Sequence, residues 1–74
     1  MFTLIWLSKK GEVKKEVESC SSAMLSLWAL QNVKSGYAVI IDEDCKIVKA
    51  YESKNKQMPM PVKPEDFPFN IERV

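Results

Sequence analysis

The chain predicts an α+β domain: a four-stranded antiparallel sheet, ββαββ in chain order and 2-1-3-4 in space. One helix lies on one face, and an extended Pro-rich C-terminal arm follows. Three observations carry this reading. Residues 3–19 and 37–53 follow one template without a gap, a charge-free window separates them, and all four prolines crowd the final stretch.

The template is TLIWLSKKGEVKKEVES laid over YAVIIDEDCKIVKAYES at a constant offset of 34. Each copy is an apolar run, a short polar loop, and a strand that alternates apolar with charged residues, which is the pattern of a β-hairpin. Lys15, Glu18 and Ser19 recur as Lys49, Glu52 and Ser53, three identities in seventeen positions. Any two hairpins obey the same rules, so the match bears more on architecture than on ancestry.

The first hairpin runs from about Phe2 to Glu18. Its loop, Ser8-Lys9-Lys10-Gly11-Glu12, places glycine where a type I turn followed by a G1 bulge requires positive φ. The second loop, Asp42-Glu43-Asp44-Cys45-Lys46, has the same form with Cys45 in the glycine slot. Either Cys45 carries mild strain or this turn adopts another geometry.

Between the hairpins, Ser19 to Val33 contains no charged residue, although 28% of the chain is charged. Serines at 19, 21 and 22 offer N-caps, Lys34 falls in a last turn, and Gly36 follows the periodic stretch. The spacing predicts a helix from Ser22 to Lys34. Ala23, Met24, Leu27 and Leu30 share one face, Leu25, Trp28 and Ala29 a second, and a thin polar strip runs along Ser22 and Ser26. A helix lying on a sheet needs one apolar stripe. This one has almost two, so something must cover Trp28. A competing reading begins the helix near Glu12, since Val13, Val17, Cys20, Met24 and Leu27 also keep helical spacing, and gives a βαββ arrangement. The four clustered Ser and Cys residues and the β-branched valines oppose it.

Leu4 to Leu7 and Val39 to Ile41 are apolar on both faces, as central strands are. Residues 12–18 and 46–52 carry charge at every second or third position, as protected edges do. This sets the order 2-1-3-4, with the helix as a right-handed crossover. The face away from the helix is then left bare.

Residues 1–53 form the ββαββ domain and residues 54–74 the arm. Pro59, Pro61, Pro64 and Pro68 forbid long regular structure, and Met58 to Pro61 should be extended. The arm still carries Met58, Met60, Val62, Phe67, Phe69, Ile71 and Val74, too many large apolar groups for a solvated linker. It should dock on its own domain or on a partner. Pro64-Glu65-Asp66-Phe67 resembles a single helical turn opened by proline.

Composition excludes much chemistry. The chain has 74 residues and no histidine, so it holds no Ser-His or Cys-His pair and no Cys₂His₂ zinc site. Two cysteines cannot close a Cys₄ site; Cys20 and Cys45 are read as thiols, with a bridge between them left open. Asp42, Glu43 and Asp44 are too compact for a calcium loop and suit turn chemistry. The net charge of +1 supplies no global field for nucleic acid or membrane. The N-terminal run lacks a basic segment and is too short to span a bilayer, which reads as a cytoplasmic protein with no membrane association.

The expectation is a non-enzymatic interaction or regulatory module without cofactor or metal, self-associating as a homodimer. Trp6, Trp28, Phe67 and Phe69 are its candidate partner-binding residues, because aromatic anchors dominate interface energetics. The arm is a possible contact for another protein. The alternative is a weak nucleic-acid-binding module in which Lys14, Lys15 and Lys49 flank aromatic rings. The interleaved Glu12, Glu16, Glu18 and Glu52 oppose it.

Overall fold

The computed structural model describes residues 1–69, so Ile71 and Val74 of the arm lie outside the described residues. Strands β1 (Phe2–Leu7), β2 (Val13–Ser19), β3 (Gly36–Ile41), β4 (Ile47–Ser53) and β5 (Met60–Val62) accompany one helix, α1 (Ser22–Asn32). They form a single antiparallel sheet of order β2-β1-β3-β4-β5. The α+β class holds, but the sheet has five strands rather than four. The additional strand comes from the arm: Met60, Pro61 and Val62 pair with Glu52, Tyr51 and Ala50. β4 is therefore interior along that stretch, and a short proline-bearing strand forms the edge, where the missing N–H is tolerated.

The two hairpins are equivalent position by position. Ser8 N–H donates to Glu12 O and Gly11 N–H to Ser8 O; Asp42 N–H donates to Lys46 O and Cys45 N–H to Asp42 O. Ser8 Oγ accepts from the Lys10 and Glu12 amides, and Asp42 Oδ1 from those of Asp44 and Lys46. Gly11 has φ +89°, and Cys45 does adopt the left-handed conformation, at φ +62°. Even the bulges coincide. The register slips by one residue past Trp6↔Lys15 to Leu7↔Val13, and past Ile40↔Lys49 to Ile41↔Ile47. The acidic triplet is thereby explained, with one carboxylate oxygen of Asp42 accepting from two backbone amides.

The helix begins as predicted, with Ser21 as N-cap accepting from the Met24 amide. It ends at Asn32 rather than Lys34. Val33 turns extended so that its side chain drops into the core, while its N–H still reaches Ala29 O. Gly36 is not the helix cap: it opens β3 at φ +87°, where a Cβ would stand 2.2 Å from Leu7 O. Only glycine permits that approach.

Two cores result, one on each face of the sheet. Beneath α1, Leu25, Ala29 and Val33 pack on Leu4, Ala38, Ile40 and Tyr51. Ser26, expected on a polar strip, is instead buried, where it accepts a 3.0 Å hydrogen bond from Tyr51 Oη. On the opposite face, Phe67 and Phe69 of the arm pack over Ile5, Leu7, Val39 and Tyr37. A single 3₁₀ turn at Pro64–Asp66 redirects the chain from the sheet edge onto that face. The face that the first four strands leave bare is covered by the chain's own arm.

Candidate functional site

The four aromatic residues singled out as partner contacts form two separate clusters, each built into the fold. Trp6 and Trp28 meet edge-on at 6.2 Å between ring centres, on the α1 face of the sheet. The Trp6 indole N–H donates to Ser35 O at 2.9 Å. Phe67, Phe69 and Tyr37 form a mutually edge-on trio on the other face, with centre separations of 5.3 to 5.9 Å. Such pairs favour this geometry because each ring's positive edge meets its neighbour's negative face. Phe67 is buried, and Phe69 and both tryptophans are half-buried. Their first role is to close the two cores.

The lysines do not converge. Lys14 is the extra residue of the β2 bulge and Lys15 follows it, paired with Trp6, and both reach the indoles. Lys14 Nζ sits 4.5 Å from the Trp6 ring centre and Lys15 Nζ 5.7 Å from that of Trp28. These are cation–π contacts within the chain. Lys49, on β4, pairs with Ile40 of β3. It is three strands away from β2, at about 4.8 Å per strand. Each indole already has an ammonium over it, and the third lysine stands apart.

The most exposed large apolar side chains of α1 come from its first apolar stripe and not from its aromatic residue. Met24 is 60% exposed and Leu27 48% exposed, with Ala23 exposed beside them. The helix orientation follows from its two flanks: Ser26 bonds to Tyr51 of β4, while Trp28 touches Trp6 of β1 and the Lys15 side chain of β2. At about 100° per residue, Leu27 points away from the sheet and Met24 shares the Trp28 flank, toward β2. The signal for this surface was present in the sequence. A helix with two apolar stripes buries one on the sheet and displays the other.

Two recesses also open among the described residues. One, about 310 Å³, is lined by Met1, Thr3, Glu18, Asp42, Glu43 and Cys45. The Met1 ammonium donates to Glu43 Oε1 at 2.5 Å, and that hydrogen bond with its charge holds the Glu43 carboxyl below its ordinary range. A second recess, about 340 Å³, lies beside β5 between Val48, Lys49, Tyr51, Pro61 and Pro64. Cys20 and Cys45 are free thiols. Among the described residues no group of three or more acidic or cysteine side chains could hold a metal ion, and no helix is long and apolar enough to cross a membrane.

Comparison with protein-family models, with curated proteins and with solved structures finds no match.

Proposed function

We propose that this chain is a protein-interaction module that pairs with a second copy of itself through the outer face of α1. The observation that carries the reading is the Ala23, Met24 and Leu27 surface on a segment without charge from Ser19 to Val33. A two-fold contact sets a patch against a copy of itself, so the charges on it face charges of the same set. A patch of one sign repels its copy. This patch carries none, and its flexible methionine adapts to an opposing apolar side chain.

The second face, which the first four strands leave bare, is occupied by the arm, which concentrates the self-association reading on the helix. The lysine hairpins support no competing reading of equal strength, since Lys14 and Lys15 are drawn onto the indoles and Lys49 stands apart.

The test is sedimentation velocity at micromolar concentration on the wild-type chain and on the Met24→Glu/Leu27→Glu double variant. The wild type should sediment as a dimer and the variant as a monomer with unchanged circular dichroism. A wild-type chain that stays monomeric up to several hundred micromolar contradicts the reading.

A further inference from the structure

We propose that the sheet face opposite α1 is also a docking surface for the arm of a second copy, so that two chains exchange residues 54–69. This rests on the arm and its hinge, and not on the α1 contact.

The arm's anchoring is concentrated at its far end. Phe67 and Phe69 seat on Ile5, Leu7, Val39 and Tyr37, and Phe69 lies so close to the first hairpin loop that a Cβ at Gly11 would stand 2.7 Å from its ring. Between this anchor and β4, the ladder is three residues long and Pro61 supplies it no N–H. Pro59 and Pro61 keep the segment extended whether or not it is docked, so little chain freedom is lost on moving it.

The hinge is a tight turn. Gln57 N–H donates to Lys54 O, Lys56 N–H to Lys34 O, and Ser53 Oγ to Gln57 O. Lys56 is held at φ +63°, a left-handed conformation that a residue with a Cβ adopts at a cost. Opening the hinge removes that strain and turns β4 and β5 into one continuous strand. The seat on a second copy offers the same contacts, residue for residue, as the seat at home. The balance between the closed chain and the exchanged pair is therefore set at the hinge and by concentration.

The pairing register fixes one more consequence. Ala50↔Val62 and Glu52↔Met60 are centred on position 56. In the exchanged pair the same register sets Lys56 opposite Lys56 of the second copy. The closed form thus strains this residue, while the exchanged form sets its charge against an identical one. Raising salt should favour exchange, because screening weakens the repulsion.

Two neutral hinge variants separate these effects: Lys56→Gly and Lys56→Val, each in the full chain carrying Met24→Glu/Leu27→Glu, so that an α1 contact cannot supply the dimer. Glycine accepts the left-handed conformation freely, whereas valine resists it and favours an extended strand. The left-handed preference favours exchange in the valine form by about tenfold per hinge and about a hundredfold per dimer. Light scattering after size exclusion gives the dimer fraction. NOEs between ¹³C-labelled and unlabelled copies locate the Phe67 ring. The expected result is a valine-variant dimer with interchain NOEs from Phe67 to Ile5 and Val39, and a glycine variant that remains monomeric at the same concentration. Equal dimer fractions in the two variants, a dimer with only intrachain Phe67 NOEs, or a valine variant that does not fold would each overturn the proposal.

Discussion

Ile5 and Val39 are direct partners across the central strand pair, and they are also the same position in the two copies of the hairpin template. A residue that pairs with its own repeat equivalent marks a local two-fold axis, which here passes through the sheet between β1 and β3. The coincident turns, bulges and registers of the two hairpins follow from it. The symmetry stops at the strand ends: after Ser19 the chain enters α1, whereas after Ser53 it enters the proline-rich arm. One hairpin's continuation covers one face of the sheet, and the other's covers the opposite face.

The arm should carry a measurable share of stability. Phe67→Ala removes a buried ring from the core opposite α1, at a cost of about 3–5 kcal/mol. Phe69→Ala, at a half-buried site, should cost less than half as much. Urea denaturation of both variants checks the ranking. Equal and negligible losses would mean that the arm lies on the sheet without stabilising it.

Glycine positions should respond unequally. At Gly36, a methyl group meets the Leu7 backbone, which cannot move without breaking the β1–β3 ladder. At Gly11 it meets the Phe69 ring, which can turn aside. Gly36→Ala should lower stability by more than about 3 kcal/mol and Gly11→Ala by about 1–2 kcal/mol. Thermal melts of the two variants test this, and the opposite order would contradict the close approach at Gly36.

The Tyr51–Ser26 hydrogen bond joins sheet to helix inside the core. Tyr51→Phe strands the serine hydroxyl and should cost about 1–2 kcal/mol. Ser26→Ala leaves the phenol unpaired and should cost a similar amount. The double variant should lose less than the sum, since both polar partners are then gone. A strictly additive cycle would mean that the hydroxyls do not bond.

Alkaline pH should weaken the fold through Tyr37. Burial, with the charge and hydrogen bonding of Glu52 beside it, raises its phenol above the usual value of 10.0. The folded chain then holds its proton where the unfolded chain releases it. The stability is fully present below pH 10 and falls as the pH climbs through the unfolded and then the folded value. Denaturation from pH 9 upward should show a steeper loss for the wild type than for Tyr37→Phe, and identical slopes would exclude this origin.

The sequence revealed the hairpins, the helix start and the order of the first four strands because those depend on local chemistry: turn glycines, a serine cap, and alternation of charge. The alignment with Gly11 offered a left-handed turn at Cys45 as one of two geometries, and the chain adopts that one. β5 was not, because Met60-Pro61-Val62 has no strand pattern of its own and becomes a strand only against β4. The helix end was missed for a similar reason: Val33 leaves the helix to fill a tertiary site. For the contact surface, the two apolar stripes of α1 were visible, but which stripe meets the sheet depends on Tyr51 reaching Ser26. The aromatic residues favoured as contacts pack into or against the two cores.

The central claim is that the charge-free outer face of α1 is where two copies meet. Its most direct measurement is a dilution series of amide NMR spectra, from several hundred micromolar down to a few micromolar. Shifts that move with concentration should map to Ala23, Met24, Leu27 and their neighbours, and vanish in Met24→Glu/Leu27→Glu. Spectra that do not change with concentration, or changes confined to β2 and the recess beside β5, would contradict it.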